Sequence, residues 1–500
     1  MVHNGLCANI YPDWIVVPHR TEDVAFVVKL TNKYNISISV RSGGHSYTCT
    51  NIKQGGVHFD MREMNHVGLV NNHLAVLGPG GTWGDVLEKI PPTKFTMLHG
   101  QCLSVGVAGY LLGGGINYVG TSERYGSGAR HVVRYTMVDA LGRILLVSNG
   151  NTTVIEPNTR RGLYQLENDS GLYKAMGGAG SSFGITTEFL YRIYPRPEVL
   201  PTLALVYLEN SYDLYKLEKA AMDGRYHIHA YIGYGFRDLN IFGVLPQAVF
   251  IKVIPRILKY VAQKSVEPVY LLLVDNDPYA SRNPNKQKAL DFLKEFGLNL
   301  ALNSFFTNLL PSAASLGDYE SVYMSPQEYN SRGFQGIASA NLMGISNLSI
   351  IRDILFNHPT FGLKYKEKIQ ARKAGCEFCF FVINSSNRSP QNQIFNLTFS
   401  GKFQLELSCL FPPNVGSKCP KVLRNIKEQW RRKSIQIGDR PTQYYNIPSC
   451  DKDKTLKSGE RYFNPDVYEE LLKTKHQWDP ENKFNHCQSI GNDNENCCPT

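Results

Sequence analysis

The 500-residue sequence contains no run of 18 or more apolar residues, so a membrane-spanning helix is not expected. Its first 17 residues, Met1–Val17, lack the basic start and the apolar stretch of a secretory signal peptide. Internal repeats and long low-complexity tracts are also absent, which argues against solenoids and extended disorder. With 42% hydrophobic and 19% charged residues, the composition predicts a globular protein of two or three domains.

The sequence also lacks a nucleic-acid-binding pattern, although its formal net charge is +10. Such a charge favours anionic partners in general. The basic residues are scattered, however, and the one dense group, Lys421–Lys433, has the spacing of a solvated helix face. We therefore expect a small-molecule partner and no nucleic acid.

Cysteine is present in an odd number, eleven, which in a secreted protein leaves one thiol to be explained. Cys376-x-x-Cys379 could be half of a metal site, but no second such pair or paired histidines complete it. Seven sequons for N-glycosylation suit a secretory route. They begin at Asn35, Asn151, Asn168, Asn347, Asn384, Asn387 and Asn396. We expect disulfides, no metal, and secretion or residence in the secretory lumen, the signal peptide being absent from the given chain.

Short β-rich runs alternate with helical runs in the first third of the chain. The predicted strands there are Ile36–Val40, His58–Asp60, Leu74–Leu77 and Val132–Val138. The predicted helices are Thr21–Tyr34 with Thr21 as N-cap, Asp85–Ile90, and, near the end of the chain, Pro465–His476. A proline-bounded segment, Tyr194–Pro197, marks a boundary after which glycine becomes rarer and Leu, Tyr and Phe more common.

Glycine-rich segments indicate where the backbone approaches a ligand. The segment Arg41-Ser-Gly-Gly-His-Ser-Tyr47 follows a predicted strand, and its small residues leave N–H groups free to hold a diphosphate. It is not the GxGxxG fingerprint, and alone it fits equally well a turn before a core histidine. Three similar segments follow at Gly78–Asp85, Gly100–Gly115 and Gly177–Gly184. Four such segments around one histidine and one cysteine favour a binding site over packing.

The order and spacing of these segments resemble the berberine bridge enzyme-like oxidases of the vanillyl-alcohol oxidase (p-cresol methylhydroxylase, PCMH) superfamily. The matching segments are RSGGHSY at 41–47, GPGGTWGDV at 78–86, GQCLSVGVAGYLLGGG at 100–115, YKAMGGAGSSFGI at 173–185, QYYNIPSCD at 443–451 and YEELLKTKHQWDPENKFNHCQSIG at 468–491. The resemblance covers most of the first 195 residues and the last 60. In the middle, only the order of elements matches.

The resemblance implies an FAD held by two covalent bonds. In the family, the histidine of RSGGH bonds to the 8α-methyl carbon of the flavin and the cysteine of GxCxxVG to its C6. Those positions are His45 and Cys102 here, and committing Cys102 leaves ten cysteines, an even number. The further cofactor-binding residues implied by the motifs are Arg41, Ser42, Gly43, Gly44, Ser46, Gly106, Val107, Gly109, Gly114, Gly184, Ile185 and Asn446.

Three positions depart from the family pattern. The C-terminal YxNY motif usually ends in a tyrosine that is often the catalytic base or its helper, and this chain has Ile447 there. The GGH before the triple glycine is Ala108-Gly109-Tyr110, and the Asp-Asn expected near residue 130 is Arg130-His131. These changes predict a retained flavin site with a rebuilt catalytic face.

A replacement base is predicted on the strand Phe403–Leu410, whose alternation places Gln404, Glu406 and Ser408 on one face. In the family the corresponding strand faces the flavin ring, and a carboxylate there can act as base. Burial raises the pKa of a carboxyl, as that role requires, so we expect Glu406 to be the base beside Gln404. The alternative is that this face points to solvent. Further candidates are Tyr110, Tyr444, Tyr445 and His131.

The expected fold is α+β, with a PCMH-type FAD-binding domain at 1–196 and an antiparallel-sheet substrate domain backed by helices at 197–440. A C-terminal segment, 441–500, is expected to return to the FAD domain. The expected activity is oxidation of a small alcohol, sugar, alkaloid or terpenoid by hydride transfer to flavin N5, with O₂ reoxidising the flavin to give H₂O₂. The alternatives are an oxidative or non-redox cyclase, and a binding glycoprotein without redox function. A monomer or weak dimer without membrane contact is expected.

Overall fold

The computed structural model of the chain covers the elements that position the candidate site. The residues described are 4–91, 94–100, 104–116, 126–155, 163–166, 171–195, 202–207, 229–234, 270–275, 336–345, 375, 378–385, 403–411, 418–439, 441–448 and 461–492. Their α-helices are α1 (Thr21–Lys33), α2 (Trp83–Lys89), α3 (Val107–Leu112), α4 (Gly171–Ala179), α5 (Lys418–Gln436) and α6 (Pro465–Trp478). Their strands are β1 (Trp14–Val16), β2 (Ile38–Arg41), β3 (Val57–Asp60), β4 (Val67–Asn71), β5 (Leu74–Leu77), β6 (Phe95–Thr96), β7 (Val132–Val138), β8 (Ile144–Ser148), β9 (Asn151–Ile155), β10 (Leu163–Leu166), β11 (Ile185–Arg192), β12 (Tyr194–Pro195), β13 (Thr202–Tyr207), β14 (His229–Tyr234), β15 (Tyr270–Asp275), β16 (Gly336–Ile345), β17 (Phe378–Ser385) and β18 (Phe403–Phe411).

A small parallel sheet with the strand order β1-β3-β2 opens the fold. Helix α1 connects β1 to β2 and buries Val24, Ala25 and Val28 in one hydrophobic cluster with Phe59 of β3. These positions recur at helical spacing, so one face of α1 is committed to the core. The loop that carries the RSGGHSY motif begins at the end of β2.

Helix α1 begins at the predicted residue, but its N-cap differs from the prediction. Its N-cap is Arg20, and the carboxylate of Asp23 accepts hydrogen bonds from the backbone N–H groups of His19 and Arg20, both at 3.1 Å. Thr21, predicted as N-cap, is instead the first helical residue, and its hydroxyl lies 2.9 Å from the hydroxyl of Thr187. An acidic side chain in the first turn thus satisfies two backbone donors that lie just before the helix.

A seven-stranded antiparallel sheet with the order β10-β9-β8-β7-β11-β5-β4 forms the second layer. One hydrophobic cluster joins this sheet to four helices. Among its members are Tyr135 of β7, Trp83 of α2, Leu111 of α3, Met176 of α4 and Leu471 of α6. Because α6 follows the C-terminal motif, this packing returns the end of the chain to the N-terminal region.

A separate antiparallel sheet has the order β14-β17-β18-β16, and α5 packs on β16 and β18. Strands β13 and β15 pair antiparallel elsewhere in this part of the chain. The α+β class and the antiparallel sheet backed by a helix are therefore confirmed. The basic group Lys421–Lys433 lies on α5 as predicted, but its face is not wholly solvated, because Lys427 is buried.

Most predicted boundaries agree with the structure to within two residues. Strands β5 and β7 have the predicted limits, whereas β2 begins two residues later than predicted because Ile36 and Ser37 belong to the turn after α1. Helix α2 begins earlier than predicted, at Trp83, because Thr82 and Asp85 cap it reciprocally. No helix of the described residues is long and apolar enough to cross a membrane.

Candidate active site

The RSGGHSY and GQCLSVGVAG loops meet backbone to backbone. A Cβ atom built on Gly43 would lie 2.8 Å from Gly106 Cα and 2.9 Å from the carbonyl oxygen of Ser104, closer than side chains tolerate. A Cβ on Gly106 would likewise lie 2.8 Å from Gly43 Cα. The next residue, Gly44, has φ +80°, which favours glycine. Only unsubstituted residues allow these two loops to touch.

Arg41 and Ser42, at the start of the RSGGHSY loop, are held by contacts with neighbouring segments of the chain. The Ser42 hydroxyl donates to the carbonyl oxygen of Pro79 at 2.6 Å, which ties the loop to the second glycine segment. The buried carboxylate of Asp60 pairs with Arg41 Nη1 at 3.2 Å and also with Arg62. Burial alone would raise the pKa of Asp60, but its hydrogen bonds with Arg62 and the charge of Arg41 lower it below the usual value. The Arg41 Nε atom is buried and has no hydrogen-bond partner in the described part of the chain.

His45, the predicted flavin-bonding histidine, is half-buried, and its Nε2 lies 3.0 Å from the hydroxyl of Ser104. Ser104 is two residues after the predicted flavin-bonding cysteine, so the two predicted attachment loops lie side by side. Cys102 itself lies outside the described residues. Ser46 caps the turn that follows His45, because its hydroxyl accepts from Thr50 N at 3.0 Å.

The C-terminal motif clamps the triple glycine. Asn446 Nδ2 donates to the carbonyl oxygen of Tyr110 at 2.9 Å and to the Tyr444 hydroxyl at 3.0 Å. The same phenol oxygen accepts the backbone N–H of Ile116 at 2.9 Å. A Cβ on Gly113 would overlap the Asn446 side chain, so the fit requires glycine at 113. Asn446 and Tyr444 therefore hold the segment between α3 and Ile116 in one conformation.

The two candidate phenols, Tyr110 and Tyr444, are buried. Burial raises the pKa of Tyr444 well above its usual value, although its hydrogen bonds to Asn446 and Ile116 oppose the shift. Burial also raises the pKa of Tyr110, whose ring packs edge-on against Trp83 at 5.1 Å. The Tyr110 hydroxyl has no hydrogen-bond partner among the residues described. Both phenols are thus neutral at physiological pH, which suits hydrogen bonding better than proton abstraction.

Glu406 lies on β18 between the side chains of Gln404 and Ser408, and all three are buried, at 3%, 1% and 0% exposure. The alternative of a solvent-facing strand side is therefore wrong. The Ser408 hydroxyl donates to Glu406 Oε1 at 2.6 Å, a charge-assisted distance. The charge of Glu406 also contributes to the raised pKa of Tyr444. A backbone bridge between Met343 and Thr442 joins β16, the neighbour of β18, to the residue before the C-terminal motif.

A hydrogen-bonded ring that the sequence did not suggest joins three of the motifs. His486 Nε2 lies 3.0 Å from the Ser181 hydroxyl, which lies 3.3 Å from the Tyr445 hydroxyl. Tyr445 donates to the carbonyl oxygen of Gln488 at 3.2 Å, and the Gln488 N–H donates back to His486 Nδ1 at 3.2 Å. Since Nδ1 accepts, the neutral imidazole carries its proton on Nε2 and donates to Ser181. His486 is therefore not the base for Ser181, and Tyr445 holds the tail in place.

The remaining predicted site residues differ in their surroundings. Val107 and Ile185 lie in the hydrophobic clusters, and a Cβ on Gly184 would overlap β7. Gly114 has φ +99°, whereas the space beside Gly109 is open. His131, a further base candidate, is buried with its Nδ1 2.8 Å from the Tyr194 hydroxyl, outside the group formed by Glu406 and Tyr444.

The donor set fits FAD. The described residues contain no group of three or more His, Cys, Asp or Glu side chains that could hold a metal ion. The buried Arg41 Nε and the Tyr110 hydroxyl, which has no hydrogen-bond partner among the described residues, are groups that a large anionic cofactor with hydrogen-bonding groups would complete. The fourth glycine segment contacts the C-terminal motif, because the Ser181 hydroxyl lies 3.3 Å from the Tyr445 hydroxyl.

Comparison with known proteins agrees with this arrangement. Residues 12–148 match the FAD binding domain model, and residues 433–491 match the model for berberine and berberine-like proteins. An FAD-dependent monooxygenase of Cochliobolus heterostrophus is 32% identical over 181 residues, which are 36% of this chain and 31% of the relative. The chain spans about a third of the length of the curated relatives that it matches.

Solved structures share the whole fold at low identity. Glucooligosaccharide oxidase from Acremonium strictum, which carries a 6-S-cysteinyl, 8α-N1-histidyl FAD, aligns with a TM-score of 0.68 at 16% identity over 98% of this chain and 94% of its own. Berberine bridge enzyme from Eschscholzia californica aligns at 0.63 and 18% identity over 98% and 92%. The two family-model matches confirm the resemblance that the motifs indicated, and the solved structures share the fold.

Proposed function

We propose that this protein is an FAD-dependent oxidase of a small organic substrate and that Glu406 is its catalytic base. The observation that carries the proposal is the position of Glu406. It is buried on β18 and accepts the Ser408 hydroxyl at 2.6 Å. The neighbouring strand β16 is bridged to Thr442, two residues before Tyr444, whose phenol accepts the N–H of Ile116 after the triple glycine. A carboxylate placed in this way can take a proton from a substrate hydroxyl, amine or acidic C–H.

The cofactor would be held by the RSGGHSY loop and the GQCLSVGVAG loop. His45 and Cys102 would each form one covalent bond to it, and the Gly43, Gly44 and Gly106 backbone would hold its diphosphate with Arg41. When bound, FAD supplies the redox chemistry by accepting a hydride from the substrate and passing two electrons to O₂ to give H₂O₂. The contact between His45 and Ser104, and the match to a bicovalent neighbour's fold, support this assignment.

The protein's own contribution is positioning and proton transfer. Ser408 orients Glu406 by donating its hydroxyl to one carboxylate oxygen. Tyr444 and Asn446 keep the triple-glycine segment in place through Ile116 and the carbonyl of Tyr110. The sheet of β14, β16, β17 and β18 provides the wall on which the substrate binds. The proposed domain limits are therefore 1–196 and 441–500 for the part that holds the cofactor and 197–440 for the part that binds the substrate.

Oligosaccharide oxidases among the relatives and structural neighbours make sugars the first substrate class to test, followed by aryl alcohols, alkaloids and terpenoids. The experiment is a screen of these classes that follows H₂O₂ release and O₂ consumption together. Stoichiometric H₂O₂ with an oxidised product would support the oxidase.

The second candidate is an oxidative or non-redox cyclase. One observation favours it: Ile447, in place of the usual tyrosine, packs with Ile116, Met343 and Tyr444 in an apolar cluster, which suits a hydrocarbon-rich substrate. A cyclised product would identify it, formed with one O₂ consumed per turnover in the oxidative case and with none in the non-redox case.

We also propose that the protein matures in the secretory pathway. Cys7 and Cys49 form a disulfide, and Cys409, Cys419 and Cys487 are also disulfide-bonded. Disulfides persist in oxidising compartments and are rare in the cytosol. Non-reducing peptide mapping of secreted protein tests the route. Mostly free thiols would argue against it.

A further inference from the structure

Helix α1 has a second apolar face, which points to solvent. Phe26, Leu30 and Tyr34, its C-cap residue, are spaced four residues apart and are 67%, 42% and 60% exposed. At 1.5 Å per residue they form a stripe about 12 Å long on one side of the helix. We call these three side chains the α1 stripe. Single exposed apolar residues are common, but an aligned set of this kind marks a surface that something covers.

The α1 stripe ends at a glycosylation sequon. Asn35 follows Tyr34 directly, and Asn35-Ile-Ser37 has the N-x-S pattern. Asn35 and Ser37 are both exposed, and no described contact occupies the Asn35 side chain. Its φ of +50° is the left-handed conformation that commonly ends a helix. That conformation explains an asparagine at this position, but it does not explain the serine two residues later.

The backbone around the sequon is fixed, so the direction of the Asn35 side chain is set. The N–H of Asn35 donates to Asn32 O at 3.2 Å, and the N–H of Ile36 donates to Thr31 O at 2.8 Å. From the other side, Lys483 Nζ donates to Ile36 O at 2.8 Å. A group attached to Asn35 would therefore leave from one defined point at the end of the α1 stripe.

We infer that Asn35 carries an N-linked oligosaccharide that covers the α1 stripe. The inference rests on the proposed secretory route. An N-linked glycan is bulky and solubilising. The ring faces of Phe26 carry partial negative charge, which suits the C–H faces of sugar rings. Lys33 Nζ lies 5.2 Å from the centroid of the Tyr34 ring, so a sugar would contact the opposite face of that ring. No partner protein is needed to account for the exposed apolar side chains.

Asn151 provides an internal comparison, since it is an exposed sequon asparagine at the start of β9, away from α1. A glycan there would have no comparable stripe to cover. Loss of a glycan at Asn151 should therefore leave the surface properties of the protein unchanged, whereas loss at Asn35 should not.

The test uses full-length protein secreted from a eukaryotic host. Ser37→Ala removes the sequon and keeps Asn35, whereas Ser37→Thr changes the same residue and keeps the sequon, so Ser37→Thr controls for a substitution at this position. Peptide mass mapping should find the Asn35 glycan in the wild type and in Ser37→Thr, and not in Ser37→Ala. Ser37→Ala should show a severalfold rise in binding of an apolar fluorescent dye and should self-associate in light scattering. Asn151→Gln should show neither change.

Two further measurements distinguish loss of the glycan from a folding defect in Ser37→Ala. Enzymatic removal of glycans from folded wild type should reproduce the rise in dye binding. Replacing Phe26, Leu30 and Tyr34 by serine in the Ser37→Ala background should abolish it. An unoccupied Asn35 in a chain glycosylated at other sequons would overturn the inference while leaving the secretory route intact. A glycosylated wild type that dimerises through the α1 stripe would also overturn it, in favour of a second copy as the cover.

Discussion

Gly43 and Gly106 touch through their backbones, and neither position has room for a Cβ atom. The two residues are 63 positions apart, and each belongs to a motif that carries one of the proposed flavin-bonding residues, His45 and Cys102. Their contact brings these motifs to one place before any cofactor is considered. It therefore links the packing of the N-terminal region to its proposed chemistry.

A methyl group at this contact should separate the loops. Gly106→Ala is expected to cost about 1–3 kcal/mol of unfolding free energy, because overpacking forces the backbone to shift. It should also reduce covalent flavin loading, measured as yellow colour retained after denaturation. Gly68→Ala is the matched control, since a Cβ there meets nothing within 4 Å on the exposed strand β4. Equal flavin loading in both variants would contradict the prediction.

Covalent attachment should be separable into two bonds. Wild-type protein is expected to retain its flavin in denaturant, and peptide mapping should find flavin on His45 and on Cys102. His45→Ala and Cys102→Ala should each remain yellow through the other bond, and only the double variant should lose covalent flavin. Release of free FAD from denatured wild type would contradict bicovalent attachment.

Loss of the proposed base should slow the chemistry without loss of cofactor. Glu406→Gln keeps the size of the side chain and its contact with Ser408 but cannot accept a proton. Stopped-flow absorbance should show flavin reduction slowed by about 10²–10⁴-fold, the usual contribution of a general base. Flavin content and thermal unfolding should remain those of the wild type.

The comparison variant for Glu406→Gln is Ile447→Tyr, which returns the family's usual phenol. It should restore little activity in a Glu406→Gln background, because the position is packed with Ile116, Met343 and Tyr444. Flavin reduction at the wild-type rate in Glu406→Gln would make Glu406 structural. Tyr110, Tyr444 and His131 would then be the residues to test.

Acid should destabilise the protein partly through His58. This side chain is buried with its Nδ1 2.9 Å from the Ser39 hydroxyl. Burial, opposed by Asp60 and assisted by Arg41, lowers its pKa from 6.5 to about 4. Between those values the unfolded chain binds a proton that the folded protein does not, so the unfolding free energy falls as pH falls.

The expected loss from His58 is about 2 kcal/mol between pH 7 and pH 4.5, at 1.36 kcal/mol per pKa unit. Denaturant titrations at the two pH values measure it. His58→Asn, which keeps a polar group near Ser39, should show a pH dependence smaller by that amount. The same pH dependence in both proteins would mean that His58 titrates normally in the folded state.

The local elements followed from short-range patterns in the sequence. Strands β5 and β7 have their predicted limits, because runs of β-branched and apolar residues between turn signals depend on neighbours in the chain. The first residue of α1 was predicted correctly, but the assignment of Thr21 as N-cap was wrong, because Arg20 is the N-cap and the Thr21 hydroxyl contacts Thr187. The contact with Thr187 spans 166 residues, beyond the range of any local pattern.

The sequence by itself determined the α+β class and the face that Gln404, Glu406 and Ser408 share, and it predicted the two-motif flavin site, because motif spacing and strand alternation are local properties. Only the tertiary structure decided that this face is buried, that Tyr444 holds Ile116, and that His486 closes a ring with Ser181 and Tyr445. The hydrogen bonds of Tyr444 with Ile116 and of His486 with Ser181 join residues 328 and 305 positions apart. Alternation shows which side chains share a face, whereas burial depends on what distant segments pack against that face.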